Sequence, residues 1–342
     1  MRLVALGAGL IALLAGGGSE GSASAGARAA SVLFIHGFPT GTLKVVKADG
    51  KRPAKALARH AVGPKWSPSG DAIVYYRAGI DSGEIHVMQA DGRKNHVLTR
   101  GGVQPAWSPD GKRIAYAGLN VAPLGIAVVG RSGGVFRRLT HGFDDSPAWS
   151  PDGREIAFHH VIPDIADEIW VVNIDGTGLR RLAGDLGDNA LEPVWSPDGE
   201  TIAFIRLIRS VDGLFTPKIH VVNRDGSGQR SLTGNTTPGV DEVEPAWSPD
   251  GRKIVFIHET RALGAEIHVV NSDGSAERTL AKRVAGGWGS GPAWSPDGRK
   301  IAFAGVRDGD GELYVMNADG SRKLRLTRSR GADRAPAWRP VP

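Results

Sequence analysis

The chain contains no cysteine, few aromatic residues and only one long apolar run, Leu3 to Ala15. The missing cysteines exclude disulfides and lipid attachment through an N-terminal cysteine. An exported chain of this kind holds together by packing alone. Aromatic residues make up 6% of the sequence, and most occupy recurring positions that read as core. Few remain to stack on bases, so the continuous basic face with interleaved aromatics that nucleic-acid binding requires is not expected. No segment sustains an apolar 3.6-residue period over three turns, which argues against helices. After Leu3 to Ala15, nothing approaches the ~20 apolar residues of a membrane span.

Arg2, the apolar run and a Gly/Ser/Ala stretch together read as a secretory signal peptide over residues 1–29. Ala23-Ser24-Ala25 and Ala27-Arg28-Ala29 both fit small-x-small cleavage. No transmembrane segment is then expected in the mature chain, which would be periplasmic or secreted. With 41% apolar residues, residues 30–342 can bury a large core as one domain.

What fills the chain is repetition. Pro105-Ala106-Trp107-Ser108-Pro109-Asp110-Gly111, followed by Ile114-Ala115-Tyr116, has relatives throughout. Trp-Ser-Pro recurs at Trp66, Trp107, Trp149, Trp195, Trp247 and Trp294, and Trp338-Arg339-Pro340 is a final copy. Successive tryptophans lie 41, 42, 46, 52, 47 and 44 residues apart. A period of this size marks stacked or radially arranged units. Within each unit a Trp strand meets a Ser-Pro-Asp-Gly turn, in which Pro presets φ and Gly takes the left-handed conformation. An apolar strand such as Ile156-Ala157-Phe158 follows. A third strand such as Ile169-Trp170-Val171-Val172 then runs into a second Gly turn, Asn173-Ile174-Asp175-Gly176. A fourth strand ends in Leu-Thr, as at Leu139-Thr140. Four short strands per unit describe a propeller blade.

The two chain ends complement each other. Val32-Leu33-Phe34-Ile35-His36 matches the second strand Ile254-Val255-Phe256-Ile257-His258. Leu43-Lys44-Val45-Val46 matches a third strand, and Ala56-Leu57-Ala58 a weak fourth. This segment is a unit without its Trp strand, and Trp338 is a Trp strand without its unit. Pairing them removes the open edges of the ring. The expectation is an all-β, seven-bladed β-propeller closed by its N- and C-terminal strands, the alternative being six blades with residues 31–65 packed elsewhere.

These motifs resemble the TolB-type, or WD40-like, propeller repeat over residues 32–338. The family's TolB is a periplasmic protein of the Tol–Pal system that binds partner proteins through its propeller. It has six blades and a smaller α/β domain ahead of them; here the expected leader runs directly into a blade, so no such domain is expected. Similar propellers cap prolyl-oligopeptidase-type peptidases. The resemblance implies the fold; function resides in sites built on it.

Catalytic motifs are sparse. Gly17-Gly18-Ser19-Glu20-Gly21 is the one literal nucleophile-elbow match, and it lies inside the leader. His36-Gly37-Phe38-Pro39, similar to an oxyanion loop, belongs to the repeat. So does the Gly-rich stretch Gly286 to Gly291, an inter-blade loop without the helix of a phosphate site. Asp308, Asp310 and Glu312 suggest hard oxygen ligands, but Glu84, Glu168 and Glu266 hold the same repeat position as Glu312, and the ligand set is incomplete. His86, His220 and His268 share another position, each in its own blade. No metal, cofactor or catalytic residue is therefore assigned.

Ligand-binding candidates come from loops that vary between units. Fourth-to-first loops and second-to-third loops emerge on one face. They carry Asp144, Asp145, Asp185, Asp188, Glu192, Asp241, Glu242 and Glu244, with His36, Arg77, His160, Arg206 and His258 ending second strands nearby. Mixed charge around a concave mouth can capture a peptide, a sugar or a cation. The basic excess behind the net charge of +6 is strongest at Arg322, Lys323, Arg325, Arg328, Arg330 and Arg334, which reads first as a plain solvated face and otherwise as a basic edge toward an anionic envelope surface. The expected function is that of an exported, monomeric, non-catalytic propeller that binds a protein or envelope component. The competing class is a hydrolase or lyase at the channel mouth, which a set of His and carboxylates within metal-binding distance would favour.

Overall fold

The repeated turns close through their own side chains. Ser108 Oγ donates to Asp110 Oδ1 at 2.6 Å and accepts from Arg113 N at 2.9 Å. Ser150, Ser196, Ser248 and Ser295 make the same two bonds. Gly111 supplies the φ of 67° that the turn needs. In the first copy Ser69 stands where Asp is usual, and Asp71 accepts from both Ser67 and Ser69.

The computed structural model describes residues 30–341 apart from 38–40, 78–82, 119–123, 164–165, 185–188, 210–214, 235–238, 261–263, 287–288, 290, 308–309 and 329. The expected leader, Asp185, Asp188 and Asp308 lie outside the described residues. Among those described there is no helix, and the antiparallel pairing resolves into seven four-stranded units. Blade 1 runs outward from Asp333–Trp338 through Ser31–His36 and Gly41–Lys47 to the first half of Lys55–Trp66. The second half of that strand, after a left-handed kink at His60, is the inner edge of blade 2. Blades 3 to 7 take their inner strands from Gly102–Trp107, Phe143–Trp149, Asn189–Trp195, Val240–Trp247 and Ala293–Trp294.

The chain ends pair directly. Val32 faces Trp338, Leu33 faces Ala337, Ile35 faces Arg334 and His36 faces Asp333. Core clusters lie between neighbouring blades. Trp107, Ile114 and Tyr116 of blade 3 pack on Val74, Ile85 and Val87 of blade 2. Val32, Phe34 and Trp338 of blade 1 pack on Ala302, Leu313 and Val315 of blade 7. Both faces of a blade are thus covered, and the third-strand histidines are absorbed too. His86 stacks on Tyr75, His220 leans on Phe204 and His268 on Phe256.

One bond recurs at every interface. Each repeat tryptophan donates its indole N–H to the carbonyl preceding the tryptophan of the blade before. Trp107 bonds Lys65 O, Trp149 bonds Ala106 O, Trp195 bonds Ala148 O, Trp247 bonds Val194 O and Trp294 bonds Ala246 O, at 3.1 to 3.2 Å. Trp338 bonds Ala293 O at 2.9 Å and Trp66 bonds Ala337 O at 3.2 Å. The cycle has no gap at the chain ends. Arginines cover four of these rings, for example Arg339 over Trp66 at 5.3 Å.

Losing one such bond should cost at least about 1–3 kcal/mol, because the carbonyl loses its donor, and replacing indole by phenyl adds a packing loss. Trp149→Phe should show this in urea denaturation. Trp338→Ala should cost more, about 3–5 kcal/mol for a large buried aromatic, and limited proteolysis should then cut first near Ser31–His36.

Candidate functional site

The inner strands carry a second recurring feature three residues before the tryptophan. Gly63, Gln104, Ser146, Glu192, Glu244 and Ala335 all hold a positive φ between 50° and 58°. The register of each strand slips there, as between Asp145 and Ala148 or Val243 and Ala246. The next residue is always proline, which has no N–H to offer a ladder and is tolerated at a bulge. A bulge re-aims its side chain, and here it aims at the axis. Left-handed φ at a non-glycine residue costs of order 1–3 kcal/mol, a strain repeated around the ring.

Contacts between successive positions show that these side chains line a common channel. Gln104 Nε2 donates to Ser146 Oγ at 3.3 Å, and Ser146 N donates to Gln104 Oε1 at 2.9 Å. A Cβ added at Gly291, the equivalent position in blade 7, would lie 2.6 Å from Glu244 Oε2, and Gly289 N donates to Glu244 Oε1. Glu192 of blade 5 senses Glu244 of blade 6, Asp145 and His159 of blade 4, and Lys65 of blade 2. A blade 2 side chain reaches blades 5 and 6 only across the axis.

Glu192 and Glu244 form the chemical centre of this channel. Burial and the neighbouring Glu244 charge push Glu192 up to about 8, with Lys65 partly opposing. Burial also raises Glu244, against the Gly289 amide and Lys65. The pair therefore retains a proton through the neutral range, as two carboxylates in one site do. Beside them, Asp145 meets His159 Nδ1 at 3.0 Å and Asp167 meets Nε2 at 3.3 Å. Burial alone would push His159 down, but these two carboxylates hold it above its ordinary value.

The remaining candidates occupy a different layer. Asp144, 4% exposed, takes Thr140 Oγ1 on one oxygen and His160 Nδ1 at 2.5 Å on the other. Asp333, fully buried, meets His36 Nδ1 at 2.6 Å in the same way. Glu242, fully buried, accepts from Thr233 Oγ1 and from Ile219 N at 3.4 Å, with Lys218 Nζ 3.6 Å away. Asp144 and Glu242 join their inner strands to the preceding blade, and Asp333 ties its inner strand to the second strand of the same blade. Arg77 is exposed opposite Glu84, Arg206 lies opposite Lys218, Asp241 opposite Glu259, and His258 stacks on His268. The glutamates at the Glu312 position each pair with an outer-strand cation: Glu84 with Arg100, Glu168 with Arg181, Glu266 with Lys282, and Glu312 itself with Arg325.

Gln104, Ser146, Lys65 and Asp333 belong to these two layers but carry no signal as isolated polar residues. Alignment of the units on tryptophan, with attention to the residue before proline, would have singled out the first two together with Glu192 and Glu244.

The raised Glu192 has a consequence for stability. Its folded pKa, about 8, lies above the ordinary 4.5. The associated stability is full below pH 4.5, declines through the interval and is gone above pH 8. Thermal melts should therefore show Tm falling as pH rises from about 5 to about 8. Glu192→Gln should flatten that fall and melt above the native chain at high pH; a parallel pH profile would contradict the pairing.

Comparison with known proteins agrees with this architecture. The family model described as TolB beta propeller domain matches residues 25–284 and 218–341. No curated protein matches the chain. Among solved structures, TolB from Acinetobacter baumannii aligns at TM-score 0.58 and 20% identity, over 90% of this chain and 82% of that one. An oligogalacturonate lyase in complex with manganese aligns at TM-score 0.63 and 14% identity, over 88% and 85%. A puromycin-hydrolyzing peptidase from Mycobacterium tuberculosis aligns at 0.62 and 17%, over 86% of this chain and 53% of that one. At these identities the solved structures share a fold and nothing finer. The family match spans nearly all of the described residues, and the chain belongs to the TolB beta propeller domain family.

Proposed function

We propose that the protein is an exported, non-catalytic propeller that binds a protein or cell-envelope component through the loop-lined face around its channel. The observation that carries this reading is the Glu192–Glu244 pair, set on adjacent blades at strained backbone positions and raised by burial and mutual repulsion. A lysine, arginine or terminal amine of a ligand would replace the retained proton with a charge that both carboxylates accept. Lys65 across the channel gives the mouth two signs of charge, which favours an oriented segment over a free cation. Export rests on the leader-like residues 1–29. Among the described residues no helix is long and apolar enough to cross a membrane.

The competing reading, a hydrolase or lyase, finds its supporting observation in His258, His268 and Glu277, which come within metal-binding distance of one another. They lie on the flank of blade 6 that faces blade 5, away from the paired glutamates.

Capture from envelope extract followed by mass spectrometry tests the proposal. One stoichiometric partner is expected for the native chain. Its retention should drop at least tenfold for the Glu192→Gln/Glu244→Gln variant and should strengthen from pH 6 to pH 8.5. Turnover on a glycan or peptide panel, unaffected by those substitutions, would overturn the binding role.

A further inference from the structure

We propose that His258, His268 and Glu277 form a site for one zinc-class divalent transition-metal ion between blades 5 and 6. Each offers one donor atom, and the three atoms lie within 4.8 Å of one another. Two imidazole nitrogens and one carboxylate oxygen are the donors of borderline-soft divalent ions, with room left for water.

The three residues come from three consecutive elements of one blade. His258 is on the second strand, Lys253–Thr260, and His268 on the third, Gly264–Asn271. Glu277 directly precedes the outer strand, Arg278–Val284. Phe256 faces His268 and His258 faces Glu266 in the register, so the two histidines are diagonal neighbours on one face of the sheet.

A break in the repeat supports a ligand here. In blades 1 and 4 the histidine at the His258 position is satisfied by an inner-strand aspartate, through His36–Asp333 and His160–Asp144. In blade 6 the corresponding acid is Glu242, whose Oε2 accepts from Thr233 and Ile219 N, and whose Oε1 lies 3.6 Å from Lys218 without a hydrogen bond to His258. His258 Nδ1 is buried with no hydrogen-bond partner among the described residues.

His268 is already oriented as a ligand would be. Its Nε2 lies 3.2 Å from Glu266 Oε2, and Glu266 is held by Lys282 at 3.2 Å. A carboxylate behind the second ring nitrogen fixes the orientation of a metal-ligating imidazole. Nδ1 lies 2.9 Å from Glu277 Oε1, so an ion would take the place of the proton between them. The two rings are parallel, with centroids 4.2 Å apart. Their in-plane lone pairs converge once one ring turns about its Cβ–Cγ bond, exchanging the stacking contact for a metal bond. Lys218 and Lys282 face the cluster, and Glu242 and Glu266 offset them.

Titration calorimetry of the untagged full chain with Zn2+, paired with Co2+ absorption, tests this. One ion per chain, a proton released on binding and tetrahedral Co2+ bands are expected. His268→Gln and the half-buried Glu277→Gln should each weaken Zn2+ by at least about tenfold, while the exposed His96→Ala should leave it unchanged. Circular dichroism identifies any variant that has unfolded, and the native chain's own uptake decides in that case. Absence of stoichiometric Zn2+ uptake by the native chain would overturn the proposal. So would uptake that a folded Glu277→Gln or His268→Gln variant retains in full.

Discussion

The indole N–H that each repeat tryptophan donates to the blade before it is the constraint on which the molecule rests. A hydrogen bond of this kind contributes only about 1 kcal/mol net. Its importance lies in geometry: it fixes where one inner strand sits against the next, and it does so seven times in a closed cycle. Large apolar side chains then fill the spaces between sheets. Without cysteine, noncovalent contacts hold the junction between the chain ends: this bond, the Ser31–His36 pairing with Asp333–Trp338, the His36–Asp333 contact, Arg339 over Trp66 and the surrounding core.

The channel follows from that spacing. Tryptophan sets the inner strand at a fixed distance from its neighbour, and the bulge three residues earlier turns one side chain per blade inward. Gly63 and Ala335 project little into the channel, and the absent side chain at Gly291 leaves the space that Glu244 occupies. Glu192 and Glu244 project from adjacent blades, and burial raises both, with the Glu244 charge adding to the rise of Glu192. The equivalents in this chain's other blades, among them Gly63, Gln104, Ser146 and Ala335, differ freely, since nothing in the turn or core chemistry requires a carboxylate there.

Much of the fold was legible because the same physical demand recurs in every unit. Trp338 and Val32 to His36 were readable as two halves of one blade, since each lacked what the other had. The site was less legible. Asp144 and Glu192 look alike in sequence, as polar residues a few positions before a repeat tryptophan. Two residue positions relative to the bulge separate a buried partner of Thr140 and His160 from a channel-lining acid. His268 looked like one of three equivalent histidines, and its nearness to His258 and Glu277 depends on strand register that no local pattern encodes.

Hydrogen–deuterium exchange on the full chain and on a chain ending at residue 332 tests ring closure most directly. The account predicts strong protection of the Val32 to Ile35 amides in the full chain, comparable to Ile202 to Ile205 in blade 5. Protection should be lost in the shortened chain and spread outward from blades 1 and 7. Equal protection of Val32 to Ile35 in both chains would contradict it.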